Sequence, residues 1–246
     1  MVIPNYHTEK PRRFQARAVV LYYLKAKIFA RRVKGARQIL RRGTTIMQQI
    51  MTYAAALSKK GFDVRCFGTA DEARRALLAA IPAGASVGIG GSMTIEQLGV
   101  ESELKSRGCP VYWHWKSAPE QRAEVTKKAF CADFYLMSSN AVSQDGSLWN
   151  IDGNGNRLAT MLRGTGKLIC VIGCNKFTDS DPVERIKREA CPKNAVRLHL
   201  NTPCAKTGKC TDCKSPDRMC KLTLELRYPP AGRDMEVWLV NEPLGY

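Results

Sequence analysis

Apolar and polar positions follow two rhythms along this chain, and the rhythm changes from one segment to the next. Apolar side chains return every three or four positions from Ile46 through Ile50 and Ala54 to Leu57, which predicts one buried face of a helix. After Gly61, the short run DVRCF predicts a strand. The two kinds of segment then alternate along most of the chain.

The same patterns assign most of the remaining sequence. Further helices are predicted at 70–81, 94–104, 118–130, 181–190 and directly after Gly153. Further strands are predicted at 85–89, 111–115, 133–139, 147–151, 167–173, 222–228 and 235–240. Strands that alternate with helices in this way indicate an α/β fold with a mainly parallel sheet.

Two hairpins are predicted within this fold. Asp145-Gly146 is a turn dipeptide between the strands at 133–139 and 147–151, so those two strands are expected to pair. The last two strands flank the turn PPAGRD and are expected to close the fold as an antiparallel C-terminal β-hairpin, after a cysteine-rich loop.

Charge is unevenly distributed over the 246 residues. The first 45 residues contain twelve Lys or Arg and one acid, Glu9, so they carry +11 of the net charge of +17. A hydrophobic content of 44% is ordinary for a globular chain. We therefore divide the chain into a basic helical N-terminal extension, 1–44, and an α/β domain, 45–246, that includes the cysteine-rich loop 204–220.

The basic extension has two interpretations. Its apolar stripe, formed by Val20, Tyr23, Leu24 and Ile28, favours a helix that packs on the body with its Lys and Arg in water. Contact with nucleic acid or an anionic membrane is the alternative. Lys25 interrupts the apolar run, so a signal peptide is not favoured, and no run reaches transmembrane length. We expect a cytoplasmic protein, which agrees with ten cysteines kept reduced or metal-bound.

The densest chemical signal is a group of four cysteines in the stretch TPCAKTGKCTDCKSPDRMC. Cys204, Cys210, Cys213 and Cys220 have the spacing C-x5-C-x2-C-x6-C. An iron–sulfur cluster, above all the four-iron four-sulfur type, takes four thiolates and tolerates irregular spacing. Structural zinc is an alternative, although no second Cys-x-x-Cys follows. Reduced thiols, or disulfides in a secreted protein, are a further alternative.

The other six cysteines have no partner at ligand spacing. Cys66 and Cys170 lie in apolar, strand-like runs and are expected to pack in the core, where a free thiol behaves as a small hydrophobe. Cys174 and Cys191 can reach the four-cysteine loop only through the fold, which spacing does not reveal.

Histidines and nucleophile motifs add little. His114 lies between two tryptophans on a predicted strand and is expected to be packed rather than catalytic. His199 precedes Cys204 by five positions and is a candidate to ligate a metal or to line the site. The sequence contains no nucleophile elbow, catalytic triad or HExxH motif.

A Gly-rich loop follows the predicted strand at 85–89. Gly90 and Gly91 allow a close backbone approach, and Ser92 and Thr94 offer hydroxyls at the start of the next helix. Backbone N–H groups at a helix N-terminus bind anions, so this loop is a candidate site for a phosphate or a carboxylate. It matches neither the dinucleotide fingerprint nor the P-loop. A tight turn without a ligand is the alternative.

Polar residues crowd the later segment SSNAVSQDGSLWNIDGNGNR. Ligands of open α/β sheets bind beyond the carboxyl ends of the strands, which makes this segment a second candidate. Asp152 is a candidate general base or partner of a substrate hydroxyl, and Arg157 is a candidate to hold an anionic group in bidentate fashion. Asn140 and Asn156 would position the rest of the ligand. Asp145 is expected only to form the hairpin turn.

Several of these motifs, taken in order, resemble a known family. VGIGGSMTIEQLG, NAVSQDGSLWNIDGNGNR, PKNAVRL and TPCAKTGKCTDCKSPDRMC are similar to the lactate-utilisation, or LUD-domain, family, formerly DUF162. The resemblance covers residues 45–246. It implies a fold like that of the sugar-phosphate isomerase and CoA-transferase group, with helices on both faces of the sheet. It also implies that Gly90 and the segment 152–157 face one cleft.

Some members of this family act in an iron–sulfur-dependent oxidation of L-lactate to pyruvate. The resemblance and the motifs favour a protein that binds a small anionic metabolite, such as lactate or another hydroxy acid. Such a protein would be an oxidoreductase component, a lyase or an isomerase, with a redox partner protein and a homo-oligomer as expected partners. This chain lacks the ferredoxin-like CxxCxxCxxxCP runs of the electron-carrying lactate subunit.

Two other functions remain open from the sequence. One is a non-catalytic, zinc-stabilised binding or assembly protein whose basic extension docks a partner. The other, implied by the resemblance, is a transferase or isomerase that acts on CoA or a sugar phosphate, with Glu96 as a candidate residue.

Overall fold

A computed structural model of the protein describes residues 36–246, with side chains from residue 48 onward. The first helix of the described residues, α1, runs from Ala36 to Lys59 without a break at the predicted domain boundary after residue 44. The predicted apolar stripe of the basic extension lies outside the described residues. The division into an extension and a domain therefore stays a prediction.

The remaining elements alternate along the chain much as the sequence predicts. The helices are α2 (Ala70–Ala80), α3 (Met93–Leu98), α4 (Glu101–Ser106), α5 (Arg122–Phe130), α6 (Asn156–Arg163), α7 (Pro182–Arg188), α8 (Ala190–Arg197) and α9 (Pro203–Thr207). The strands are β1 (Asp63–Phe67), β2 (Val87–Ile89), β3 (Val111–Trp113), β4 (Phe134–Met137), β5 (Ala141–Ser143), β6 (Leu148–Asp152), β7 (Lys167–Gly173), β8 (Phe177–Thr178), β9 (Leu222–Leu226) and β10 (Met235–Val240).

Six strands form the main sheet in the order β1-β10-β7-β4-β2-β3, and every pair in it is parallel. Strand β7 shows why this sheet is buried on both faces. Leu168, Cys170 and Ile172 pack into one core cluster, whereas Ile169 and Val171 pack into another. Because strand side chains alternate between faces, a continuous apolar run needs cover on both sides. The predicted mainly parallel α/β sheet is confirmed.

Helices supply that cover on each face. On one face, α1 contributes Ile50 and Leu57, and α6 contributes Met161. On the other, α2 contributes Leu77 and α3 contributes Ile95. Both sets pack on alternate residues of the same central strands, so the expected arrangement with helices on both faces is also confirmed. No helix in the described part of the chain is both long and apolar enough to cross a membrane.

A second, four-stranded sheet in the order β8-β5-β6-β9 was not predicted. The turn at Asp145-Gly146 does form a hairpin, but it joins β6 to β5. The predicted partner at 133–139 instead supplies β4 of the main sheet. The hairpin therefore belongs to a small sheet that stands beside the carboxyl edge of the large one.

The predicted C-terminal β-hairpin is wrong. Strand β9 pairs with β6 in the second sheet, whereas β10 lies between β1 and β7 in the main sheet. The burial of the two strands gives the physical reason. Residues 237–240 are fully buried and need cover on both faces, whereas β9 is exposed over its first residues and suits the edge of a sheet. This difference in burial places the two strands in different sheets, although they are neighbours in sequence.

Two helix boundaries also differ from the prediction. The helix expected at 94–104 is split into α3 and α4 at Gly99, which has a φ of 62° and ends α3 in the left-handed conformation. The helix expected at 181–190 is followed by a further one, α8. Pro192 lies in the first turn of α8, where a backbone N–H has no partner within the helix.

Candidate functional site

A cleft of about 350 Å³ opens at the carboxyl edge of the main sheet. Loops that follow four neighbouring parallel strands line one part of it. They contribute Lys176 after β7, Asn140 after β4, Gly90 after β2 and Trp115 after β3. Ligands of open α/β sheets bind at this edge, and the volume suits a small molecule.

The second sheet and the cysteine-rich loop line the rest of the cleft. Asp152 ends β6, and Asn156 begins α6. The loop contributes Arg218, and Lys221 follows it directly. All the residues predicted for the cleft line it except Thr94: Gly90, Gly91, Ser92, Asn140, Asp152, Asn156 and Arg157.

Gly90 and Gly91 are required by close packing. A Cβ on Gly90 would lie 1.9 Å from Oη of Tyr135, and one on Gly91 would lie 2.7 Å from Nε1 of Trp115. Gly91 also has a φ of +59°, which side chains other than glycine disfavour. The glycines therefore let two aromatic rings pack against the loop, and one of those rings lines the cleft.

The two hydroxyl residues of this loop have different positions. Ser92 is the N-cap of α3, and its Oγ accepts a hydrogen bond from the N–H of Ile95 at 3.4 Å. Thr94 is buried behind the cleft surface. Its Oγ1 accepts a hydrogen bond from Nζ of Lys176 at 2.8 Å and donates one to the carbonyl of Leu244 at 3.2 Å. Thr94 thus contacts the lysine of the cleft rather than the cleft itself.

Asp152 and Arg157 form a nearly buried ion pair. Nε of Arg157 lies 3.2 Å from Oδ2 of Asp152, and the two side chains are 13% and 6% exposed. Arg157 also donates through Nη2 to the carbonyl of Ile151 at 2.5 Å and to Oδ1 of Asn140 at 3.4 Å. The protein itself therefore holds the guanidinium in place.

The two carboxylate oxygens of Asp152 have different surroundings. Its Oδ1 accepts the backbone N–H groups of Asn154 and Gly155, both at 3.0 Å. Its Oδ2 is buried, and no donor in the described part of the chain has hydrogen-bond geometry towards it, despite the close Arg157 Nε. Oδ2 is therefore the ion-pair partner of the Arg157 guanidinium, without a well-directed hydrogen bond between the two.

Lys176 is a cleft residue that the sequence analysis missed. Its side chain is only 3% exposed, yet it lines the cleft. Its Nζ donates to Oγ1 of Thr94 and Oγ of Ser138, each at 2.8 Å. Burial, with a smaller contribution from the guanidinium of Arg185, lowers the pKa of Lys176 to about 7. Its place directly after an apolar strand run was the only signal in the sequence.

His114 also lines the cleft, and the expectation that it is packed rather than catalytic stays a prediction. Strand β3 ends at Trp113, and His114 begins a short 3-10 turn. Burial lowers the pKa of His114 below its usual range, and Arg122 lowers it further, so the imidazole is mainly neutral at pH 7. His199 lines neither the cleft nor a small neighbouring cavity that is surrounded by cysteines.

Five cysteines surround one small cavity next to the cleft: Cys191, Cys204, Cys210, Cys213 and Cys220. Four come from the predicted loop, and the fifth comes from α8, where it is buried. All ten cysteines of the chain are described, and none forms a disulfide. The fold therefore adds a thiol to the predicted set.

Hydrogen-bonding groups lie against three of these sulfurs. Backbone N–H, guanidinium and hydroxyl groups at such positions stabilise thiolates and tune a metal bound to them. The pairs are Oγ1 of Thr202 with Cys204 at 3.3 Å, the N–H of Asp212 with Cys210 at 3.4 Å, and Nε of Arg218 with Cys220 at 3.3 Å.

The arrangement of these donors bears on which metal they can hold. Within the described residues, no group of three or more His, Cys, Asp or Glu side chains is placed to hold a single metal ion. In a four-iron four-sulfur cluster each thiolate binds a different iron, so the thiolates stand further apart than around one ion. Thiolates are the ligands that such clusters use, and the presence of a cluster stays a prediction.

A family model agrees with the motifs that line the cleft and the cavity. The model of the LUD domain matches residues 50–240, which is more than half of the chain. The chain belongs to the LUD domain family. The matched range includes both the cleft and the cysteine loop of this LUD-domain protein. No curated protein matches the chain.

Solved structures give weaker likenesses to this LUD-domain protein. A DUF162 family protein from Deinococcus radiodurans has 13% identity and a TM-score of 0.43, covering 78% of this chain and 96% of its own. The eIF2B beta structure from Chaetomium thermophilum has 18% identity and a TM-score of 0.30, covering 61% and 48%. The tetrameric eIF2B-beta2-delta2 complex from C. thermophilum has 17% identity and a TM-score of 0.31, covering 63% and 51%. The expected likeness to sugar-phosphate isomerases and CoA-transferases stays a prediction.

In this LUD-domain protein, the cleft and the cysteine cavity share part of their lining. Arg218 and Met219 face both. The cleft is also rich in positive charge, since four cationic side chains and two carboxylates line it. The cations are Arg157, Lys176, Arg218 and Lys221, and the carboxylates are Asp152 and Asp217.

Proposed function

We propose that this LUD-domain protein binds a small anionic metabolite in the cleft and carries an iron–sulfur cluster, of the four-iron four-sulfur type, on the adjoining cysteines. The shared wall of Arg218 and Met219 between a cationic cleft and a five-cysteine cavity carries the proposal. The role we infer is in lactate-type, hydroxy-acid metabolism in the cytoplasm, where free thiols stay reduced.

The chemistry of the cleft supports a hydroxy acid. Excess positive charge favours a carboxylate or another anionic group. The carboxylate of Asp152, which lines the cleft, can accept the hydroxyl of the ligand or take its proton as a general base. The side chains of Asn140 and Asn156 line the same cleft and can position the remaining polar atoms.

The cysteines would hold the cluster, and the chain tunes it. A bound cluster supplies either electron transfer or a Lewis-acid iron. The guanidinium of Arg218 and the backbone N–H of Asp212 donate to two of the sulfurs, which favours their thiolate forms. If electrons move, a redox partner protein must receive them.

Anaerobic purification tests the cluster. We expect a brown protein with about four irons and four sulfides per chain. Cys210→Ser and Cys220→Ser should lower the iron content and bleach the visible absorption, whereas Cys131→Ser, which changes an exposed cysteine outside the cavity, should do neither. A parallel Cys191→Ser variant shows whether the thiol from α8 is a ligand. A colourless protein with one zinc, or with no metal, would contradict the cluster.

Thermal shift and calorimetry test the metabolite separately. L-lactate, pyruvate, CoA esters and sugar phosphates form the panel, and a ligand at a hundred times its dissociation constant should add about 2.7 kcal/mol of stability. Binding of hydroxy or keto acids supports the proposal. Binding of CoA or sugar phosphates alone would assign the cleft to transferase or isomerase chemistry instead.

A further inference from the structure

Among the described residues, Lys176 is a buried amine without a carboxylate partner. It is 3% exposed, and its two hydrogen bonds go to hydroxyls rather than to an acid. No Asp or Glu in the described part of the chain forms an ion pair with it. A buried ammonium normally has a counter-charge, because desolvation of an unpaired charge costs several kcal/mol.

The two hydroxyls can only hold the amine in position. Oγ1 of Thr94 donates to the carbonyl of Leu244 at 3.2 Å, and Oγ of Ser138 donates to the carbonyl of Ser139 at 3.2 Å. Each hydroxyl therefore donates its own proton to a carbonyl and accepts a hydrogen bond from Nζ of Lys176. An ammonium has three N–H donors, so one is left for a group in the cleft.

The charged groups near Lys176 further destabilise its ammonium form when no anion is present. The guanidinium groups of Arg185 and Arg157 are the nearby cations that disfavour its charged form. The thiol of Cys170, on β7, is the neighbour that acts in the opposite direction, and burial raises the pKa of that thiol to about 12, so it stays neutral. Asp152, the carboxylate of the same cleft, is already paired with Arg157.

We propose that the ammonium of Lys176 is the group that binds the carboxylate, or equivalent anionic group, of the ligand, with Thr94 and Ser138 fixing its direction. This inference rests on the proposed function, since it takes the ligand to be a small anion. It differs from the sequence expectation, which gave that role to the loop of Gly90, Gly91, Ser92 and Thr94 and to Arg157. The Arg157 guanidinium is held by Asp152, Ile151 and Asn140 instead.

Calorimetric titration with L-lactate and with pyruvate at pH 6.5 tests this assignment on Lys176→Met. A hydrogen bond between charged groups is worth about 1.5–3 kcal/mol, so we expect binding to weaken at least roughly tenfold. Lys116→Met is the matched control. It removes the same charge next to the cleft residue Trp115, but Lys116 contacts Glu101 at 2.6 Å and does not line the cleft. Its affinity should change by less than about twofold.

The stability of Lys176→Met separates a binding role from a structural one. Replacing an unpaired buried charge by an apolar side chain should leave the melting temperature unchanged or higher. If the variant fails to fold, Ser138→Ala gives the second measurement, because it keeps the amine but removes one of the groups that fix it, and it should weaken binding severalfold.

The outcomes distinguish this inference from the proposed function. Unchanged affinity in Lys176→Met and Ser138→Ala, with clear binding to the wild type, would overturn the role of Lys176 and leave the anionic-metabolite cleft intact. No binding of either probe to the wild type would remove the metabolite part of the proposed function, and the inference with it.

Discussion

Arg218 donates its Nε–H to the sulfur of Cys220 at 3.3 Å while the same side chain lines the cleft. It also donates through Nη1 to the carbonyl of Cys213 at 2.6 Å. One guanidinium therefore orders two segments of the cysteine loop and faces the ligand site. Any ligand that contacts Arg218 will alter the hydrogen bonding of a sulfur at the proposed cluster.

Arg218→Gln should weaken the cluster without removing a ligand atom. Loss of a hydrogen bond to a metal ligand typically lowers metal affinity by about 10–100-fold. We expect iron to leave the anaerobic variant at least roughly tenfold faster in a chelator challenge followed by visible absorption. Arg227→Gln, which changes an exposed arginine paired with Glu225 at 2.8 Å, is the control and should match the wild type. Equal rates for Arg218→Gln would show that the contact does not tune the site.

Asp152→Asn should destabilise the fold through the ion pair with Arg157. The substitution keeps the oxygen that accepts two backbone N–H groups but leaves a largely buried guanidinium without its counter-charge. We expect a loss of about 3 kcal/mol in urea unfolding. The control is Asp145→Asn, because Asp145 is 62% exposed where it pairs with Lys60, and it should lose less than about 1 kcal/mol. Similar losses for the two variants would argue against a special role for the pair.

Gly90→Ala should disturb the loop by steric overlap. The added methyl would lie 1.9 Å from Oη of the buried Tyr135, and overpacking of this kind costs about 1–3 kcal/mol. Gly84→Ala is the control, because it introduces backbone strain without steric overlap. Gly84 has a φ of +78° and no atom within 4 Å of the added methyl, so it should cost only about 1 kcal/mol. Chemical unfolding measures both, and ligand titration should show weaker binding for Gly90→Ala alone.

The effect of Lys176 on the unfolding free energy should depend on pH, because burial destabilises the charged form of the amine. Burial lowers the pKa of Lys176 in the folded protein to about 7, below its ordinary value of 10.5. Between these values the unfolded chain binds more protons, so the folded protein gains stability as pH rises from about 7 towards 10. Lys176→Met lacks this titration. Its advantage in unfolding free energy over the wild type should therefore be largest below pH 7 and shrink above it.

Ligand affinity should fall as pH rises through the same range. If the ammonium binds the anion, affinity for L-lactate should decrease between pH 7.5 and 9, by up to about tenfold per unit. Lys176→Met should show no such slope. Two other cleft groups titrate outside this range, since burial lowers the pKa of His114 and raises the pKa of Tyr246. A wild-type slope that persists in the variant would assign the titration to another group.

The parts of the fold that could be predicted are those whose burial shows in the local pattern of apolar residues. The apolar runs of β7 and β10 identify strands, and the spacing from Ile50 to Leu57 identifies a helix with one buried face. Strand pairing could not be predicted in the same way. Strands β9 and β10 are neighbours in sequence but lie in different sheets, because their different burial requires different positions.

The candidate site, like the fold, could be predicted only in part. By itself, the sequence determined the LUD-domain motifs, the four loop cysteines and the polar residues after the strands, because each is a local pattern. Only the tertiary structure decided that Lys176 lies beside Thr94 and that Cys191 joins the loop cysteines. Each is a single residue with no pattern around it. Its position depends on strand order and helix packing, which long-range burial sets rather than the neighbouring residues.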